Sequence, residues 1–197
     1  MGNGLESRLM TAEEFLAWDA TQAVKHEFLH GEVFAMAGAS ERHITVVGNL
    51  YIALRQHLRG TPCRPLPSCM LLKVERADCF FYPDLLVTCG ETTATHQLYK
   101  TDARLVVEVL SPSTAAFDRG DKFAAYRQLP ALAEYLLVDV DRLRCDLYRK
   151  GTDGLWVLHP TGPDEALQLI SVDLMVPPAV LWADLEAAAV DPAPAGP

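Results

Sequence analysis

The spacing of hydrophobic positions changes period several times along the chain, and each change predicts an element. Thr11-Ala-Glu-Glu14 is a capping box, with the Thr11 hydroxyl accepting a backbone N–H while Glu14 reaches back, so a short helix is expected through about Asp19. Lys25-His-Glu-Phe-Leu-His30 and Glu32-Val-Phe-Ala-Met36 read as two strands, or one bent strand, around Gly31. From Ser40 onward, Ile44, Val47, Tyr51, Leu54 and Leu58 follow a helical seam that Ser40 caps and Gly60-Thr-Pro62 ends. Candidate strands follow at Cys63–Val74, Phe80–Cys89 and Ala103–Leu110. Asp118 is expected to cap a helix running through Lys122, Tyr126 and Leu129 and stopping before Pro130. Strands Glu134–Val140 and Leu143–Lys150 are joined tightly at Asp139-Val-Asp-Arg142, with a third at Leu155–His159 and a smaller pairing near Ala166–Val172.

Two of these strands carry unusual chemistry. Asp84-Leu-Leu-Val87 and Leu105-Val-Val-Glu-Val-Leu110 are near-continuous apolar runs, each with one carboxylate, and such runs suit central strands buried on both faces. A carboxylate there is costly unless something compensates it. Glu32 is likewise aligned with Phe34 and Met36 on one strand face. If these strands are neighbours, Glu32, Asp84 and Glu108 converge, and their repulsion must be relieved by protonation, a cation or salt bridges. Singly, each also reads as an exposed or ion-paired strand residue. Lys122 shares a helix face with Tyr126 and Leu129, so its ammonium would point at the sheet, although alone it reads sooner as an ordinary ion-pairing or snorkelling lysine. Hard oxygen donors favour Mg²⁺ or Mn²⁺ over Zn²⁺. His43 and His57, near the ends of the long helix, fit either a ligand role or polar surface, and His26 and His30 lack a third ligand.

Length and composition bound the organisation. At 197 residues, 50% hydrophobic and 22% charged, the chain suits one globular domain, here residues 9–188, with a flexible segment 1–8 and a disordered Pro/Gly-rich tail 189–197. No apolar stretch approaches the roughly 20 residues that span a bilayer, and residues 1–8 lack a signal core, so a cytoplasmic protein without a membrane partner is expected. Five cysteines without a C-x-x-C pair indicate neither a disulfide framework nor a zinc ribbon, and reduced thiols are expected. The formal charge is −9, but all 17 Lys and Arg and 19 of the 26 acids precede residue 151. That leaves only −2 on residues 1–150, where a polyanion can still approach locally.

The ordered segments Thr11-Ala-Glu-Glu-Phe, Lys25-His-Glu-Phe-Leu-His-Gly-Glu-Val, Met36-Ala-Gly-Ala-Ser, Tyr82-Pro-Asp-Leu-Leu-Val, Val107-Glu-Val-Leu-Ser-Pro-Ser-Thr and Asp118-Arg-Gly-Asp-Lys-Phe-Ala-Ala-Tyr resemble the Uma-type family of bacterial restriction endonucleases. That family belongs to the PD-(D/E)XK nuclease superfamily, and the resemblance covers residue 9 to about 185. It implies a restriction endonuclease-like α/β (α+β) core, a mixed sheet flanked by helices. It also implies Mg²⁺-dependent hydrolysis of DNA phosphodiesters by a metal-activated water, with Mn²⁺ as a substitute, in a homodimer. Pro83-Asp84 matches the PD half-motif, Glu108 the second acid, and Glu32 the acid of the Gly-Glu-Val segment, so these three are the implied metal ligands. The superfamily lysine falls two residues after Glu108, where this chain has Leu110. Lys122, at a helix position where the family also has lysine, takes the implied catalytic role. Cys69 stands where many relatives carry an acid. The Leu110 substitution and the lack of a basic run leave an alternative open: a nuclease-like domain that binds nucleic acid or a protein partner without cutting.

Overall fold

Turn residues interrupt the long apolar runs, and the chain uses these breaks to pass from one sheet to another. The computed structural model describes residues 9–36, 38–90 and 98–185. The expected flexible segment 1–8 and tail 189–197 lie outside the described residues. In chain order the elements begin α1 (Ala12–Asp19), β1 (His26–Leu29), β2 (Glu32–Ala35), α2 (Glu41–His57), β3 (Arg64–Pro67), β4 (Leu71–Val74), β5 (Cys79–Phe81), β6 (Leu85–Thr88), β7 (Tyr99–Lys100) and β8 (Ala103–Val109). They continue with α3 (Ala115–Phe117), a π-helical turn (Asp118–Lys122), α4 (Phe123–Tyr126), β9 (Glu134–Asp139), β10 (Arg144–Lys150), β11 (Trp156–Thr161), β12 (Leu167–Leu169), β13 (Leu174–Val176) and α5 (Pro178–Leu181).

The expected strand Cys63–Val74 thus breaks at Ser68-Cys69, and Phe80–Cys89 breaks at Tyr82-Pro83-Asp84. One sheet has the order β2-β1-β5-β4-β7 and the other β11-β10-β9-β8-β6-β3, with β12 and β13 as a separate hairpin. The six-stranded sheet is mixed, since β8 and β9 run parallel while its other pairs are antiparallel. Both of its edges carry proline, Pro65 and Pro67 on β3 and Pro160 on β11, which removes N–H groups another strand could use.

Alternation along β8 divides the core. Leu105, Val107 and Val109 pack with Val46, Leu50 and Leu54 of α2, whereas Val106 packs with Ala125, Tyr126 and Leu129 on the opposite face. Glu108 shares the face of Val106 by the two-residue period. The helical stripe differs from expectation: Val46, Leu50 and Leu54 are buried while Ile44 is 61% exposed. Two adjacent stripes satisfy the helical period here, and the sheet selects one of them. Asp118 is also not a cap. The helix begins at Ala115, and Asp118 lies buried in the π turn that continues it.

Reduced thiols are not uniformly found. The β3–β6 register pairs Arg64 with Thr88, which sets Cys63 opposite Cys89, and the two form a disulfide. Cys69 is free and exposed, and Cys79 and Cys145 are free and buried. Among the described residues no helix is long and apolar enough to cross a membrane.

Candidate active site

Pairing of β6 with β8 brings the two motif acids together. Leu85 lies opposite Val107, so Asp84, one residue earlier, adjoins the Glu108 end of β8. The Val109 N–H donates to Asp84 Oδ2 at 2.7 Å. From the other sheet, β1 contributes Glu27, whose Oε1 accepts the Tyr82 N–H at 3.1 Å. The π turn delivers Lys122, with Nζ 2.9 Å from Glu27 Oε1, 3.2 Å from Glu108 Oε1 and 3.4 Å from Asp118 Oδ1. One turn on, the Tyr126 hydroxyl donates to Glu108 Oε1 at 2.8 Å. The rings of Phe81 and Phe117 lie 5.6 and 5.8 Å from the ammonium and shield it from water. Asp118 and Lys122 are both buried on the sheet side of the π turn, an irregularity that clusters at functional sites.

Burial dominates the electrostatics. It pushes the Glu108 carboxyl well above the usual carboxylate range, and the Lys122 charge only partly offsets this. Glu27 and Asp118 are raised for the same reason, again with Lys122 opposing. Burial alone would lower the Lys122 ammonium, but Glu108, Glu27 and Asp118 outweigh it and hold the proton above the ordinary lysine range. Burial also raises the Tyr126 phenol, and the Glu108 charge raises it further, so Tyr126 remains a donor.

Asp84 lies beside the three carboxylates that Lys122 pairs with, and Asp118 Oδ1 has only the 3.4 Å contact with that ammonium. An excess of carboxylate oxygens over the single ammonium fits a small divalent cation in chemical type. Asp84 and Glu108 would hold such an ion, with Glu27 or Asp118 completing the set. Among the described residues no three His, Cys, Asp or Glu side chains already form a ligating group, because the lysine sits where the carboxylates converge.

Of the residues expected from sequence, Asp84, Glu108 and Lys122 come together and Glu32 does not. Glu32 lies exposed on edge strand β2, opposite Leu29. Glu27 lies on β1, which is paired on both sides, and it reaches Lys122 instead. Sequence reasoning missed Glu27 because its neighbours resemble those of Glu32, and only the pairing of β1 with β5 sets it inside. Leu110, at the motif-lysine position, packs against the apolar core. His43 Nε2 lies 2.8 Å from Asp84 Oδ1, so this histidine adjoins the cluster. His57 bonds the Val172 carbonyl and His26 bonds Asp19, both as structural ties. Cys69 lies 3.2 Å from Lys25 Nζ and touches none of the clustered acids.

Comparison with known proteins gives the family and the fold. The family Uma2, described as "Putative restriction endonuclease", matches residues 12–183. Two Synechocystis proteins, both named as uncharacterized, are similar over most of their lengths. Protein slr1290 is 35% identical over 176 residues, covering 89% of this chain and 93% of its own. Protein sll1609 is 36% identical over 154 residues, covering 77% and 87%. The crystal structure of a "putative nuclease belonging to DUF820" from Anabaena variabilis superposes with a TM-score of 0.73 at 14% identity, covering 88% of this chain and 97% of that one. The fold is therefore the mixed, helix-flanked, restriction endonuclease-like one.

Proposed function

Since this chain belongs to the Uma2 family, we propose that it is a Mg²⁺-dependent endonuclease of the PD-(D/E)XK type that hydrolyses DNA phosphodiesters. The observation that carries the reading is Lys122 buried among Glu27, Glu108 and Asp118, with Asp84 just before the adjoining strand β6. Asp84 and Glu108 would hold the ion, and Glu27, rather than Glu32, would complete the carboxylate set directly or through water. A divalent cation bound there would lower the pKa of a water and neutralise phosphate charge.

The chain's own residues do the remaining work. Lys122 orients the attacking water and stabilises charge developing on the phosphate, replacing the lysine that Leu110 displaces. Tyr126 fixes Glu108 by its hydroxyl, which donates to Oε1. The phenyl rings of Phe81 and Phe117 limit water at the ammonium. In the expected homodimer, the prolines on β3 and β11 disfavour pairing through the edges of the six-stranded sheet.

Supercoiled plasmid incubated with purified protein tests the reading. Nicking or linearisation is expected with Mg²⁺ or Mn²⁺, absent with EDTA, and about 100-fold or more slower in Glu108→Gln. DNA that is retained on a gel yet stays intact with either metal would establish the non-cleaving alternative.

A further inference from the structure

The first turn of α2 carries a histidine that the carboxylate cluster does not explain. Ser40 caps the helix and accepts the His43 backbone N–H at 3.2 Å, which fixes this turn at the edge of the site. The His43 ring reaches Asp84 Oδ1 at 2.8 Å, and both side chains are 15% exposed. Among the described residues Asp84 is the only side-chain partner of His43. The other Asp84 oxygen accepts the Val109 N–H at 2.7 Å. Each carboxylate oxygen therefore has one protein donor. A hydrogen bond from the ring to this carboxylate requires the proton on the nitrogen facing it, Nε2.

We propose that His43 is a positioning residue for the nuclease site: its Nε2–H holds the Asp84 carboxylate in the rotamer whose remaining lone pairs serve the divalent cation. The inference rests on the metal-dependent reading of the same site. The Val109 amide alone constrains one oxygen and leaves rotation about the carboxylate bond free. The second donor removes that freedom. Outer donors of this kind typically change metal affinity 10–100-fold when removed.

Calorimetric titration of the full chain with Mn²⁺ separates this inference from the reading beneath it. His43→Leu keeps comparable bulk without a donor and is expected to weaken Mn²⁺ binding about 10–100-fold. His43→Gln, whose amide can reach the same oxygen, is expected to stay near wild type, and Asp84→Ala to lose the site. If His43→Leu binds like wild type while Asp84→Ala does not, the positioning role is wrong and the nuclease reading stands. If Asp84→Ala also binds like wild type, or wild type binds no Mn²⁺, both are wrong. The imidazole ¹⁵N spectrum of the metal-free protein gives a readout that survives a misfolding variant. A neutral His43 is expected as the Nε2-protonated tautomer, with its Hε2 protected from exchange. A freely exchanging or Nδ1-protonated ring would overturn the proposal.

Discussion

Replacing Lys122 with Met keeps most of the apolar stem and removes the charge at the centre of the cluster. At an effective dielectric of about 20, each ammonium–carboxylate contact of 2.9–3.4 Å corresponds to roughly 5 kcal/mol of attraction. Desolvation of the four groups cancels much of this. The net loss expected from removing one member of a buried ion set is about 3–5 kcal/mol. The loss should depend on pH in a fixed direction. Glu27, Glu108 and Asp118 already have raised carboxyls, and without Lys122 they rise further. The folded variant then holds protons that the unfolded chain releases, so its stability falls as pH climbs from the unfolded carboxylate value of about 4 through the folded one. In wild type the Lys122 contribution has the same sign but a different pH window. Its folded value is raised, so that contribution is complete at neutral pH and lost only above the unfolded lysine value of about 10.4. Urea unfolding followed by circular dichroism should show the full deficit near pH 8 and a smaller one near pH 5.5. At neutral pH the melting temperature should drop by about 6–20 °C. A deficit below about 1 kcal/mol at both pH values would show that Lys122 is not the counter-ion of these carboxylates.

Two further expectations follow from placement. Glu27→Gln should reduce plasmid cleavage about 100-fold, whereas Glu32→Gln, at an exposed edge position, should change cleavage little and stability by less than about 0.5 kcal/mol; equal effects would contradict the assignment of Glu27 to the site. Burial pushes the thiols of Cys79 and Cys145 up to about 12, so near pH 8 a thiol reagent should label Cys69 alone in the native protein. It should then find three thiols after unfolding and five after reduction, and five without reduction would rule out the Cys63–Cys89 bond.

The chemistry was legible in the sequence wherever local pattern determined burial. Leu105-Val-Val-Glu-Val-Leu110 is apolar enough that a two-face-buried strand is the natural solution, and Glu108 is buried with it. The i, i+4 relation of Lys122 to Tyr126 put both on the sheet side, where both contact Glu108. Local pattern failed where a distant segment decided. Glu27 and Glu32 occupy the same face of one hairpin, and their neighbours alone do not distinguish them. What separates them is β5, which pairs with β1 and leaves β2 at the edge. The Cys63–Cys89 bond likewise depends on the register of β3 against β6, which no spacing rule supplies. Asp118 resembles a cap because Asp favours helix starts, yet Lys122 stabilises it inside the helix.

The most direct test is the anomalous scattering of Mn²⁺ soaked into crystals of the protein. A peak at bonding distance from the carboxylates of Asp84 and Glu108, with Lys122 still beside them, is the predicted result. Density that shows these carboxylates closed on Lys122 in saturating Mn²⁺, with no peak between them, would contradict the account.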